Sequence, residues 1–242
     1  MSKFLELLKM EHEPVAIYRG KKIPDGATVP TDSFCSVPSL LFSVVKTGNK
    51  AATTKNMLRC PNAKVGYGFC GQENIDGSAL FLSCGIEGKM PGSKKKKSPY
   101  HAKVYLEGIK SYENDDAIIF APISIALAEN APIEVVVFYA APNHLSALCT
   151  LVSYDSETAE AGTIMPYSAG CQSIYQMAKI EGEQENPRAI LGMTDFTPRT
   201  FAEPDKLTFA VPYKLYQRMD ENSEGSFLEG KEWQKFVNLS SR

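Results

Sequence analysis

Residues 133–152 read IEVVVFYAAPNHLSALCTLV, an apolar run that passes at Ala141-Pro142 into a segment of helical period. Ile133, Val135, Val136, Val137, Phe138 and Tyr139 are β-branched or aromatic, and a run with so little polar alternation suits a strand covered on both faces. Asn143 can then cap a helix on which Leu145, Leu148, Cys149 and Val152 share one face. A buried strand leading directly into an amphipathic helix is a βα unit and sets the class of the chain as α/β.

Outward from this unit the pattern continues. AIIFAPIS (117–124) is a second buried strand, EPVAIYRG (13–20) a short one, and SVPSLLFSVVKTG (36–48) a helix with Ser36 as N-cap, Pro38 in its first turn and Gly48 at its end. Towards the C-terminus, SAGCQSIYQMAKI (168–180) spaces Cys171, Ile174, Tyr175 and Ala178 as one helix face. RAILGMTD (188–195) is a strand, and KLTFAVPYKLYQRMDEN (206–222) a strand running into a helix. Residues 2–10 and the stretch after Ser226 carry helical stripes. Residues 60–77 are rich in Gly, Asn and Pro and are expected as a loop, and GKMPGSKKKKSPYH (88–101) as a basic loop. No linker or repeat divides the chain. The expectation is one mixed α/β domain over residues 1–242, with a central, largely buried sheet flanked by helices.

Composition narrows the function. The 242 residues are 43% hydrophobic and 22% charged, as in a globular protein, and the net charge of -2 gives no bulk attraction to nucleic acid or an anionic membrane. The opening MSKFLELLKMEHE interleaves charges with apolar residues, unlike a signal peptide, and no apolar run is long enough to span a bilayer. A cytoplasmic protein is expected, in which six cysteines are thiols or metal ligands rather than disulfides.

The cysteines carry the chemistry. Cys35 precedes a helix start, and Cys171 lies in the first turn of a helix that Ser168 can cap; the positive end of a helix favours a thiolate, the form that attacks and that binds metal. Cys60 is followed by Pro61, as in some iron–sulfur ligand runs, and Cys70 lies in a glycine-rich loop. Cys84 adds a fifth candidate. Cys149, on an apolar helix face, reads as a small core residue. No C-x-x-C is present, so neither a zinc ribbon nor a thioredoxin-type site is supported. The letters G-x-G-x-x-G of Gly66–Gly71 lack a preceding strand and so lack the context of a dinucleotide site. His144, at a helix start after a buried strand, can face a site at that strand's carboxyl end, or be a capping or surface histidine. Nothing here matches the common hydrolase or nucleotide-triphosphatase motifs.

In their order, PVAI, FCSVPSLLF, RCPNAKVGYGF, AIIFAPIS, EVVVFYAAPNHLSAL, SAGCQSIYQMA, RAILGMTDFTP and DKLTFAVPYKLYQRM resemble domain-of-unknown-function family 169, a group of archaea and anaerobic bacteria, from about Glu13 to Met219. The resemblance implies cysteines in the positions of Cys35, Cys60 and Cys171 and supplies no reaction.

Two functional expectations follow. The first is a redox or cofactor-binding protein holding an iron–sulfur cluster through Cys35 and Cys60, with Cys70 and either Cys84 or Cys171 completing the set, because soft thiolates select such clusters or zinc. The second is a metal-free enzyme or carrier that uses a helix-start thiolate, Cys35 or Cys171, on a small ligand in a cleft above the sheet. The expected partner is a redox protein or a second copy of the chain, with neither nucleic acid nor membrane. A subunit with no site of its own would bind partners through Lys94–Lys97 and the last helix.

Overall fold

The computed structural model describes residues 2–30, 36–71 and 73–240. The chain packs as two compact units: Gly68–Asn114 forms the smaller, and the stretches on either side of it form the larger. In chain order the elements are α1 (Lys3–Leu8), β1 (Val15–Gly20), α2 (Ser36–Thr47), β2 (Ala51–Thr53) and α3 (Pro61–Gly66). The smaller unit follows, with α4 (Ile75–Leu82), β3 (Gly85–Ile86), β4 (Met90–Pro91) and α5 (Pro99–Glu107). The chain then gives β5 (Ala117–Pro122), α6 (Ile123–Ala128), β6 (Ile133–Ala140), α7 (Pro142–Val152) and β7 (Thr163–Ile164). A π-helix (Gln172–Gln176), α8 (Met177–Glu181), β8 (Ala189–Gly192), β9 (Leu207–Pro212), α9 (Tyr213–Glu221) and α10 (Lys231–Ser240) complete it.

The fold is mixed α/β. Seven strands form one sheet in the order β2-β5-β1-β6-β9-β8-β7, antiparallel throughout except for the β7–β8 pair. β5 and β6 are buried almost end to end, as their apolar runs require. Alternation then assigns their side chains to two layers. On one face Val136, Phe138 and Ala140 join Ala16, Tyr18, Phe209 and Val211 beneath α1, α6, α7, α9 and α10. On the other, Phe42 of α2 meets Tyr139 at a centroid distance of 5.0 Å, and Tyr67 packs between Phe120 and Tyr175 at 6.3 and 5.8 Å.

The π-helix differs from the regular helix that the spacing suggests. Ser168 does not cap it, since its fully buried Oγ has no hydrogen-bond partner; the Gln172 Oε1 accepts from the Ala169 N–H instead, at 3.1 Å. The helix lies close to β8 because residue 192 is glycine: a Cβ there would come within 2.7 Å of the side-chain oxygens of Ser173 and Thr208.

Residues 60–77 also differ from expectation. Pro61 occupies the first turn of α3, where its missing N–H costs nothing, and the Asn74 side chain accepts from the Gly77 N–H to start α4. Within the smaller unit α4 and α5 pack through Ala79, Ala102 and Leu106.

Phe138 is fully buried between Phe4 and Tyr216, with centroids 5.9 and 6.2 Å away. Phe138→Ala is expected to lower stability by about 3–5 kcal/mol in equilibrium denaturant unfolding.

Candidate functional site

Three segments reach one end of the larger unit's sheet because of strand pairing. Val15 of β1 lies opposite Val137 of β6, and Ala140 of β6 opposite Leu207 of β9. The residues before β1, those after β6 and those before β9 therefore meet. They line a cleft of about 600 Å³ with Lys9, Glu11, Tyr139, Asn143, His144 and Lys206 on its walls and Val237 of α10 closing one side.

Lys206 is the charged centre. Its side chain is only 8% exposed, and its ammonium lies 2.6 Å from Glu11 Oε2, 2.8 Å from Glu203 Oε2 and 3.4 Å from His12 Nε2. Burial disfavours this charge, but the hydrogen bonds that the ammonium donates to Glu11 and Glu203 outweigh it and hold the Lys206 pKa above the usual lysine value. The same bond from Lys206 holds the Glu11 carboxyl below the usual range. Tyr139 ties the group to β6. Its hydroxyl accepts from the Glu203 N–H at 2.6 Å, its ring stacks on His12, and the Lys206 ammonium sits 5.5 Å from its centroid. Glu11, His12 and Glu203 present ligand atoms within 4.8 Å of one another, the spacing of a cation site. The Lys206 ammonium already fills that role, so a metal ion would have to displace a tethered cation.

His144 stands in the first turn of α7, whose N-cap is Ala141 and which no side chain caps. Burial pushes its imidazole below the ordinary 6.5; hydrogen bonds to the Leu8 and Lys9 carbonyls oppose that shift, and the charge of Lys206 adds to it. The Nε2 atom is buried and makes no hydrogen bond. A ring neutral near pH 7, with one side held by backbone carbonyls and the other nitrogen without a partner, is the arrangement of a proton acceptor or ligand-binding imidazole.

The sulfurs are placed differently. Cys60 stands at the N-cap position of α3 without a side-chain capping hydrogen bond; burial outweighs the lowering influence of the nearby Ala63 and Asn62 N–H groups and raises the thiol above its ordinary value. Cys171 is buried beside the same helix, where its Sγ donates to the Asn62 carbonyl at 3.4 Å. Gly66 permits this approach, since a Cβ there would lie 3.1 Å from the Cys171 Cβ. Cys70 and Cys84 belong to the smaller unit, half-buried and exposed respectively. Cys149 packs against the core on α7, and burial raises its thiol. Cys35 lies outside the described residues. Among the described residues, the group of three or more possible ligand atoms within 4.8 Å contains no sulfur. They do not by themselves supply the ligand set of an iron–sulfur cluster.

A family model for DUF169, described as Uncharacterised ArCR, matches residues 3–222. The chain belongs to the DUF169 family. No curated protein and no solved structure gives a match. The DUF169 match takes in all six cysteines and the cleft residues named above except Val237, since α10 lies beyond it.

Of the cleft residues in this DUF169 chain, sequence reasoning found His144 from its place after a buried strand. It missed Lys206 and Glu11, and Glu203, which holds Lys206. Lys206 and Glu11 are 195 positions apart, and only the register of β1, β6 and β9 brings them together. No local pattern marks them. The letters G-x-G-x-x-G follow α3, a helix, and not the strand that a dinucleotide site requires.

The lowered pKa of His144 has a stability consequence. An unfolded chain takes up this proton near pH 6.5 and the folded chain only below that, so stability is lost as pH falls through 6.5. Glu11 acts in the same direction at lower pH, below its ordinary 4.5. Between pH 7 and pH 5 the Tm of His144→Gln is expected to fall less than that of the unaltered protein; equal falls would remove the assignment.

Proposed function

We propose that this protein is a small-ligand carrier or enzyme whose ligand occupies the cleft where β6 runs into α7, with His144 as the proton-accepting group and Lys206 as the fixed cation of the wall. The observation that carries this reading is His144 on the wall of a cleft of about 600 Å³, with its Nε2 buried and without a hydrogen-bond partner. A concave site with a few convergent polar groups and a shifted titratable residue is where ligand chemistry concentrates. The neutral imidazole can take a proton from a bound O–H or N–H, while the Lys206 ammonium, held by two carboxylates, stabilises negative charge appearing nearby. Glu11 and Glu203 keep that ammonium in place, and Glu11 and Asp205 set the acidic share of the wall.

Ligands are to be sought by thermal shift and calorimetry over a panel of small polar metabolites. A genuine cleft ligand is expected to bind about tenfold or more weakly to His144→Gln, a loss of about 1.4 kcal/mol, with the variant still folded by circular dichroism. Hits that bind His144→Gln and Lys206→Met as tightly as the unaltered chain would sink the reading.

One observation favours a second reading, in which thiols bind a soft metal or an iron–sulfur cluster. Cys60 and Cys171 both meet α3, the first at its N-cap position and the second through its hydrogen bond to the Asn62 carbonyl. Both are among the cysteines that the family resemblance implies; the third, Cys35, lies outside the described residues. A cluster gives broad visible absorbance that bleaches on reduction. Protein prepared without oxygen is expected to contain iron and to lose it in a Cys60→Ser/Cys171→Ser variant. Iron-free, colourless protein from that preparation rules the cluster out.

A further inference from the structure

The Lys94–Lys97 run is not a loose loop. Its backbone is fixed on the last carbonyls of α4: Ser93 donates to Phe81 at 2.7 Å, Lys94 to Ser83 at 3.1 Å and Lys96 to Leu82 at 2.9 Å. The Lys96 ammonium lies 3.9 Å over the Tyr105 ring of α5. Ser98 then starts α5, its hydroxyl accepting from the His101 N–H, and no acidic residue stands in that helix's first turn. Four lysines and the positive end of a nine-residue helix thus lie together in the chain.

The outer face of α5 adds apolar surface. Ala102 and Leu106 point inward to the packing with α4, whereas Tyr100 and Val104, one helical turn apart, are 73% and 50% exposed. Lys103, between them in sequence, is paired with Asp76 at 2.9 Å. The unit carries seven lysines against five acidic side chains, in a chain whose net charge is -2.

We infer that Lys94–Lys97 and the Tyr100/Val104 face of α5 form one docking surface for an acidic protein segment that carries apolar side chains. Positive charge supplies steering and discrimination, and the exposed aromatic and aliphatic pair supplies the contact that desolvates on binding. The net charge of -2 gives a uniform polyanion such as nucleic acid no bulk attraction, which favours a short acidic segment matched to the patch. The docking surface is independent of the cleft proposed above.

The test uses the full chain and fluorescence anisotropy. The probes are a fluorescein-labelled peptide of repeated Glu-Glu-Leu-Phe units, the same peptide with Gln for Glu, and a labelled oligothymidine of matched length. The acidic peptide is expected to bind saturably at low salt and to weaken at high salt, with the Gln peptide about tenfold weaker. Lys94→Glu/Lys97→Glu and Tyr100→Ala/Val104→Ala are each expected to raise Kd about tenfold while helical content is unchanged. Absence of saturable binding, or a Kd that either pair of substitutions leaves unchanged, overturns the joint surface. Tighter binding of the oligothymidine than of the acidic peptide overturns the choice of partner.

Discussion

The antiparallel ladders that join β6 to β1 on one edge and to β9 on the other occupy its backbone groups, while the two core layers bury its side chains. Such a strand has no tolerance for an unpaired polar group. Its single charged residue, Glu134, stands near its start and is satisfied there: Arg19 Nε donates to one oxygen at 2.9 Å and the Tyr175 hydroxyl to the other. With the strand fixed on every side, the segments that flank it have fixed places too. The cleft at the far end follows from this constraint, because Glu11 and His12 precede β1, His144 follows β6 and Lys206 precedes β9.

Electrostatically the cleft is conservative. Lys206 meets two carboxylates and a histidine at distances where any one lost partner would leave a nearly buried ammonium short of compensation. Its carboxylates remain largely in water, which screens their attraction and limits what the pairs add to stability. Their consequence is positional: a long, flexible side chain is held in one place beside a neutral imidazole. His144 and Lys206 thereby show opposite shifts in one cleft, an imidazole whose charge burial disfavours and an ammonium whose charge its carboxylate partners favour.

The strands were legible because their residue types leave few alternatives. Val135–Val137 and Ile118–Phe120 can be buried on both faces only in the middle of a sheet, and the βα step after Ala140 marks His144. Helices with weak stripes were not. α3 and α4 hide in a Gly- and Asn-rich stretch, where Pro61 and Asn74 act as helix starters though the composition resembles a loop. Sulfur chemistry depends on burial, which no local spacing reports; at Cys60, expected in a loop, burial raises the thiol although the residue stands at a helix start. The boundary at Gly68 was invisible for a related reason, since no linker composition announces it and only packing divides the chain there.

That boundary has an evolutionary corollary. The smaller unit begins and ends side by side, with the Asn114 N–H donating to the Gly68 carbonyl at 2.8 Å. A segment whose two ends coincide leaves its host with little more to close than a short turn, and the entropic penalty for lengthening such a loop grows only slowly. Insertion, deletion and exchange of an entire module are cheapest at such a junction. Changes of length within Gly68–Asn114 are thus expected to cost the sheet little closure entropy.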